Sequence, residues 1–306
     1  MRLLDISEPN ALVLREFSPN EIPSYAILSH TWGDEEVLFQ DSGSATVKRK
    51  AGYKKIEGCA NQARKDGYSF IWVDTCCIDK ASSAELSEAI NSMFRWYQNS
   101  GVCYAYLSDV PSDDYDYVLQ SKFARSRWFT RGWTLQEMIA PRELRFFSRD
   151  WKAIGTKYYL RECISSITKV DTEVLKDPKL LYFRSIARRM SWAAKRQTTR
   201  PEDMAYCLLG IFDVNMPLLY GEQEKSFKRL QEEIMKDSTD HSIFAFKGIA
   251  QNPLISEYRT HGPLAEHPFQ FIECSNNAPI PSASGSPPYS MTNKGLEIEV
   301  TMMESD

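Results

Sequence analysis

The sequence lacks the features that mark several large classes of protein. Its longest apolar runs, such as residues 70–73, are far too short to span a bilayer. With 37 basic and 41 acidic side chains the net charge is -4, and no basic surface is predicted for nucleic-acid binding. Asp5 interrupts the start of the chain, where a secretory signal needs apolar residues. We therefore expect a cytoplasmic protein that binds neither nucleic acid nor membrane.

The seven cysteines form no metal-binding or disulfide pattern. The spacing Cys-x-x-Cys is absent, and the four histidines are scattered singly. An odd number of cysteines in a long chain indicates reduced thiols in an intracellular core, and we expect no metal. Cys76 and Cys77 are adjacent, but no sequence feature identifies a base for a thiol nucleophile, so core packing is the preferred interpretation.

The common nucleotide and hydrolase signatures are also missing. The chain contains no phosphate-binding loop, no Gly-x-Gly-x-x-Gly and no Gly-x-Ser-x-Gly. Its composition is ordinary for a globular protein, with 42% hydrophobic and 25% charged residues. A chain of 306 residues can form one large domain or two modest ones.

The first half of the chain alternates strands and helices. Strands that are apolar throughout are typical of a parallel sheet with both faces covered, which predicts an α/β fold. The predicted strands are residues 25–29, 70–74, 102–107 and 144–147. Three helices are predicted in this half. The first spans residues 52–66 and ends at Gly67, the second begins with the capping box of Ser82 and Glu85, and the third lies around residues 130–140.

Polar residues gather where these strands end. Ser29 and His30 follow the first strand, Asp74 ends the second, and Asp109 follows the third. Ligands of such sheets bind beyond the carboxyl ends of the strands, so these residues are candidate ligand contacts. The alternative is that strand ends simply need polar caps and turns, and that His30 is a satisfied turn histidine.

Residues 131–137, RGWTLQE, carry the most informative pattern. On a helix, Trp133 and Glu137 lie one turn apart on the same face. The apolar Leu135, Met138 and Ile139 lie on the opposite side. The pair is therefore a candidate for presentation to a cleft, and the alternative is a solvated glutamate beside a half-exposed tryptophan.

The second half differs in character. Helices are predicted over residues 180–236, one starting with Pro201 at its first position and running to about Gly210. Residues 278–288 are predicted to be a loop, and residues 296–300 alternate like a strand whose position suggests truncation or pairing elsewhere. The predicted domains are residues 1–155, a helical extension over 156–246 packed on them, and a loop-rich tail over 247–306. Phe227, Leu230 and Ile234 are the predicted buried face of the last helix.

Three blocks resemble the hallmarks of the fungal heterokaryon-incompatibility (HET) domain, in order and in spacing. They are residues 25–33, YAILSHTWG, residues 72–80, WVDTCCIDK, and residues 131–137. The segments at 199–203, 219–222 and 229–233 look like the region that follows this domain. The resemblance implies a cell-death effector of heterokaryon incompatibility or innate immunity.

HET domains in turn resemble TIR domains, whose α/β fold is flavodoxin-like and whose enzymatic members cleave NAD. The resemblance implies that Glu137 is the catalytic residue and that NAD is a substrate, with no cofactor required. His30, Thr31 and Trp32 depart from the aromatic and basic residues of many TIR domains, which leaves the phosphate contacts unassigned. The implied substrate-binding residues are Ser29, His30, Trp32, Gly33, Asp74, Asp79 and Trp133.

The implied reaction is hydrolysis of NAD to nicotinamide and ADP-ribose, or formation of a cyclic product, on oligomerisation. One carboxylate suffices, because nicotinamide leaves as a neutral base and only the ribosyl cation needs stabilising. The expected partners are NAD, further copies of the TIR-like domain and a regulatory region in the full-length protein. Two alternatives stay open: a non-catalytic TIR-like signalling and oligomerisation module, and a hydrolase that acts on another nucleotide.

Overall fold

The computed structural model describes residues 1–8, 13–44, 46–113, 121–247, 262–279 and 289–298. The chain divides into two compact units, residues 1–178 and residues 179–306. In this division, residues 156–178 belong to the first unit. The packing of a helical extension on the first domain stays a prediction.

The first unit is a mixed α/β structure. One of its helices carries Glu137 and is only six residues long. Its strands are Arg2–Asp5 (β1), Val13–Glu16 (β2), Ala26–His30 (β3), Phe70–Trp72 (β4), Val102–Tyr106 (β5), Leu144–Phe147 (β6) and Ala153–Thr156 (β7). Its α-helices are Tyr53–Lys65 (α1), Ser83–Asn99 (α2), Thr134–Ile139 (α3), Arg161–Thr168 (α4) and Thr172–Lys176 (α5).

The strands form one sheet in the order β2-β1-β4-β3-β5-β6-β7. The four central strands, β4, β3, β5 and β6, are parallel to one another. The outer strands β1, β2 and β7 pair antiparallel. Numbered along the chain, the parallel strands follow the order 2-1-3-4, as in flavodoxin-like folds. The predicted α/β class with a flavodoxin-like parallel sheet is therefore confirmed.

Both faces of the central sheet are covered. All five residues of β3 are buried, and so are four of the five in β5. Successive side chains of a strand point to opposite faces, so consecutive burial requires material on each side. Apolar strands without polar alternation were the signal that predicted this arrangement.

Three strands of this sheet have no counterpart among the predicted elements. β2 has three exposed residues out of four, and β7 has none that is buried. β1 is well buried but only four residues long. Such short outer strands lack a long apolar run or a sustained alternation, so pairing within the sheet determines them more than local sequence does.

The ends of the first two helices show how local signals act. Gly67 follows α1 with φ of +85°, a left-handed conformation that glycine adopts without strain. Ser82 caps α2 by accepting the N–H of Glu85 at 3.3 Å. The Glu85 carboxylate accepts instead from the Asp79 N–H, at 2.8 Å, and from Arg2. The predicted capping box is therefore half formed.

The second unit is mainly helical in its described part, as predicted. The predicted helix start at Pro201 is wrong, because α7 begins at Asp203 and the Glu202 carboxylate reaches away to the amides of Gly221 and Gln223. Gly210 lies in a separate helix, α8. The elements are Ile186–Ser191 (α6), Asp203–Tyr206 (α7), Leu209–Phe212 (α8), Lys225–Asp237 (α9), Ser290–Thr292 (β8) and Gly295–Glu297 (β9).

Two further predictions concern this second unit. Phe227, Leu230 and Ile234 are buried on α9, as its apolar periodicity predicted. The predicted strand 296–300 is replaced by β9, which pairs antiparallel with β8. Residues 299–300 and most of the predicted loop, residues 280–288, lie outside the described residues. Across the part of the chain that is described, no helix is long and apolar enough to cross a membrane.

Candidate functional site

The site residues gather where the strand order of the sheet reverses. This switch point lies between β3 and β5, and open α/β sheets bind ligands beyond the carboxyl ends of the strands there. Ser29 and His30 form the end of β3. The short helix α3 packs against β3 and so brings Glu137 to the same end.

A hydrogen bond joins the two candidate residues Ser29 and Glu137. Ser29 Oγ donates to Glu137 Oε2 at 2.5 Å, and the two residues are 0% and 7% exposed. The indole Nε1–H of Trp128 donates to the same Ser29 Oγ at 2.7 Å. An indole nitrogen is a donor only, so it fills an acceptor position of the hydroxyl and leaves the serine proton for the carboxylate.

Trp128 was missed by the sequence analysis. It lies in the 3-10 helix Arg127–Thr130 and is completely buried. Phe129 and Phe146 pack edge-on against its ring, with centroids at 5.2 and 5.5 Å. The available signal was an aromatic pair, Trp128-Phe129, immediately before the block at residues 131–137. Packing of this kind fixes the indole and therefore the direction of its N–H.

Tyr97 connects Glu137 to a second group of candidates. It lies on the buried face of α2, and its hydroxyl donates to the Leu28 carbonyl at 3.2 Å. Burial raises the pKa of Tyr97 well above its ordinary value, and the charges of Glu137 and Asp74 raise it further. The Tyr97 hydroxyl therefore lies within electrostatic range of both carboxylates.

The helix that carries Glu137 differs from the predicted one. All six residues of α3 are buried, including Gln136, whose amide nitrogen lies 3.3 Å from Met93 Sδ. Trp133 is the half-buried N-cap residue, and its carbonyl accepts the N–H of Glu137 at 3.5 Å. All six residues of α3 are buried because the helix packs on several sides, against β3, α2 and α5. It has no wide polar face.

The second group centres on His30. Its side chain is 1% exposed and lies between two carboxylates, with Nε2 3.7 Å from Glu36 Oε2 and Nδ1 3.8 Å from Asp74 Oδ1. These distances are too long for hydrogen bonds. By these distance criteria neither ring nitrogen has a hydrogen-bond partner among the described residues, and each faces one carboxylate at ion-pair distance.

Glu36 completes this group and was also missed. Its carboxylate accepts the Gly33 N–H at 2.6 Å and pairs with the Lys55 ammonium. Burial alone would raise the pKa of Glu36, but these neighbours and the His30 imidazole lower it to about 2. The N–H of Gly33, a predicted substrate contact, therefore donates to a carboxylate of the protein itself.

Trp32 is the exposed member of the group, with 47% of its surface accessible. Its Nε1–H donates to Asp74 Oδ2 at 2.7 Å, and the Lys80 ammonium lies 3.5 Å from its ring centroid. Burial lowers the pKa of Lys80, and the charge of Asp74 opposes that shift. The indole is therefore held by a carboxylate and a cation while part of its ring faces solvent.

Asp79 has a local role in the turn before α2. Its Oδ1 accepts the Ala81 N–H at 3.0 Å, and its own N–H donates to Glu85 at 2.8 Å. Within the described ranges its hydrogen bonds are confined to this turn. The structure thus brings together Ser29, His30, Asp74 and Glu137, whereas Asp79 makes its hydrogen bonds separately, at the start of α2.

The adjacent cysteines belong to the core. Cys76 and Cys77 are 4% and 3% exposed. A hydrogen bond with Cys77, together with burial, raises the pKa of Cys76 well above its ordinary value. Such a thiol stays protonated and is a poor nucleophile, in keeping with the interpretation as core packing.

A flavodoxin-like sheet with a buried, serine-bonded carboxyl group at its switch point defines the class: an α/β domain with a candidate acidic site at the carboxyl ends of its strands. Residues 25–122 match the family described as "Heterokaryon incompatibility protein (HET)". The chain therefore contains a heterokaryon incompatibility domain, as the resemblance of its sequence blocks predicted. Glu137 and Trp133 lie just beyond the matched residues.

Other comparisons extend the match along the chain. Residues 225–299 match a "Domain of unknown function (DUF8212)". The "Vegetative incompatibility protein HET-E-1" of Podospora anserina is 49% identical over 245 residues, which cover 78% of this chain and 18% of that protein. No solved structure matches the chain, so the more distant likeness to TIR domains stays a prediction.

Proposed function

We propose that this chain acts in heterokaryon incompatibility, as a cell-death effector that cleaves NAD to nicotinamide and ADP-ribose. The HET domain and the similarity to a vegetative incompatibility protein support the biological role. The observation that carries the chemical proposal is the buried Glu137 carboxylate, oriented by Ser29 at the switch point of the sheet.

The chemistry needs one well-placed negative charge. The bond between the ribose C1′ and the pyridinium nitrogen breaks, and its electron pair neutralises the nicotinamide, which therefore needs no general acid. Positive charge develops on the ribosyl group, where the Glu137 carboxylate stabilises it in a medium of low dielectric constant. Water attacks C1′ and loses a proton to give ADP-ribose, while attack by a nucleophile of the same molecule gives a cyclic product.

The remaining candidates take supporting roles. Ser29 orients the carboxylate, and the exposed ring of Trp32 stacks on an aromatic ring of the substrate. Asp74 holds that indole, and His30 Nδ1 lies 3.8 Å from the same carboxylate. Trp133 lies half-buried at the first turn of α3. Gly33 and Asp79 act by shaping the two loops.

Nicotinamide release by purified protein tests the proposal. Glu137→Gln keeps the shape of the side chain and removes its charge, so turnover falls by at least about 100-fold, as expected for loss of one electrostatic stabiliser. Glu57→Gln, which changes an exposed carboxylate on α1, is the matched control and retains full turnover. Equal turnover in the wild type and Glu137→Gln would remove Glu137 from the mechanism.

Self-association is part of the proposal. Glu137 is only 7% exposed in the single chain, so a resting protomer offers little access to its carboxylate. Clustering then raises the population of an arrangement that admits NAD. Specific activity should rise with protein concentration or on fusion to an oligomerising module. A flat specific activity, with the protein monomeric by light scattering throughout, contradicts this requirement.

A second candidate function is a non-catalytic signalling module. It is favoured by the same burial, because a carboxylate closed off by Ser29 also suits a purely structural role. This candidate predicts no nicotinamide release at any concentration or in any assembly state. It also predicts that Glu137→Gln still triggers cell death when expressed at a wild-type level.

A further inference from the structure

The C-terminal end of α3 needs hydrogen-bond donors that the residues directly after the helix do not supply. The Ala140 N–H donates to the Gln136 carbonyl at 2.9 Å. Proline at position 141 has no N–H, and the chain then turns into β6. The last carbonyl groups of the helix, those of Met138 and Ile139, therefore require partners from elsewhere.

The ammonium of Lys157 supplies those donors. Its Nζ donates to the carbonyls of Met138 at 3.1 Å, Ile139 at 3.2 Å and Pro141 at 2.5 Å. Three acceptors match the three protons of an ammonium. The residue is 2% exposed, and its backbone N–H donates to the Leu144 carbonyl at 2.8 Å, which anchors it beside β6.

This contact lies one residue from the Glu137 carboxylate on the same helix. A helix of six residues is too short to be stable by itself, so its position depends on what holds its ends. Burial raises the pKa of Cys103 on β5, the charge of Glu137 raises it further and that of Lys157 opposes the shift. Burial also lowers the pKa of Lys157 itself to about 7, and the charge of Cys103 opposes that shift, so its ammonium form is fully populated only below that pH.

We propose that Lys157 is a positioning residue for Glu137: its buried ammonium holds the C-terminal carbonyl groups of α3 and so keeps the carboxylate against Ser29. A cation at the end of a helix also interacts favourably with the partial negative charge of the terminal carbonyls. The catalytic consequence rests on the proposed function, whereas the hold on α3 does not. No sequence pattern marked this lysine, since it follows an edge strand that was itself missed.

Lys157→Met, which has a similar length and no donors, tests the assignment. Lys152→Met, at an exposed lysine just before β7, is the matched control. Hydrogen exchange by mass spectrometry follows peptides that cover residues 134–141, and steady-state kinetics separate kcat from KM for nicotinamide release. We expect at least tenfold faster exchange over 134–141 with β3 and β5 unchanged, kcat lowered at least tenfold and KM within twofold. Lys157→Arg restores part of kcat.

Each possible result of these measurements either supports or overturns the role of Lys157. Unchanged exchange over residues 134–141 overturns the proposal, and so does faster exchange with an unchanged kcat per folded molecule, because Lys157 then stabilises the fold without positioning Glu137. If the wild type releases no nicotinamide, the proposed function is wrong and the exchange result alone decides whether Lys157 holds the helix. If Lys157→Met does not fold, Lys157→Gln replaces it with the same two measurements.

Discussion

Two neighbouring clusters at the same end of the sheet bind their carboxylates through different kinds of donor. At Glu137 a buried charge is held by the neutral hydroxyl of Ser29, itself oriented by Trp128. At Glu36 and Asp74 the carboxylates are engaged by a lysine, an imidazole and an indole N–H. In the first cluster the carboxylate accepts from a neutral hydroxyl at a buried position, whereas in the second one carboxylate pairs with a lysine beside an exposed ring.

From this difference we assign the first cluster to catalysis and the second to substrate binding. A buried carboxylate is costly unless it is hydrogen-bonded, and the Ser29 hydroxyl supplies such a bond to Glu137. In the proposed reaction that carboxylate stabilises the developing ribosyl cation. Ion pairs such as Glu36–Lys55 instead fix the loop that carries Trp32. Substitutions in the first cluster should therefore lower kcat, and those in the second should raise KM or lower stability.

The largest effect among supporting residues is expected for Ser29→Ala. The change removes the donor that orients Glu137 and leaves the Trp128 N–H without its acceptor. We expect kcat to fall by about 10- to 100-fold, or about 1.4–2.7 kcal/mol of transition-state stabilisation, with little change in KM. Ser148→Ala is the control, because that serine is fully buried and accepts only backbone N–H groups after β6. A Ser29→Ala effect confined to KM would place Ser29 in binding.

A smaller effect is expected for Trp32→Ala. Loss of a stacking ring costs about 1–3 kcal/mol of binding, so KM for NAD should rise by roughly tenfold while kcat changes little. Tyr158→Ala is a matched control, because Tyr158 is 50% exposed and Trp32 is 47% exposed. Equal KM values in the two variants would show that Trp32 does not contact the substrate.

The smallest effect on turnover is expected for Glu36→Gln, which acts on stability. The pKa of Glu36 is lowered from 4.5 to about 2, so its charge stabilises the fold above about pH 4.5, and that stabilisation is lost as the pH falls toward 2. The variant should lose about 1–3 kcal/mol of unfolding free energy at neutral pH. Its stability should also vary less than that of the wild type between pH 4.5 and 2. Parallel acid-unfolding curves would show that Glu36 carries no such linkage.

The central sheet and several site residues were predictable for a physical reason. Buried parallel strands are apolar runs of a recognisable length, and their ends are polar because the chain must turn there. Ser29 at the end of β3 and Asp74 just after β4 followed from that pattern alone. The choice of Glu137 depended on the family resemblance, because helix geometry by itself favoured a solvated glutamate.

The partners of these residues were not predictable. Trp128, Glu36 and Lys157 reach the site through tertiary contacts with residues far away in sequence, such as Trp128 with Ser29. Their own neighbours in sequence carry no periodic signal. The edge strands were missed for the same reason, since β7 exists by pairing with β6. Local sequence specified the elements, and packing specified which side chains meet.

Nicotinamide release from NAD by the wild type and Glu137→Gln, measured over a wide range of protein concentrations, tests the central claim most directly. We expect release by the wild type that rises steeply with concentration. We also expect at least about 100-fold less release by Glu137→Gln, with thermal unfolding unchanged between the two proteins. Equal release by both proteins, or no release by the wild type at any concentration, would contradict that claim.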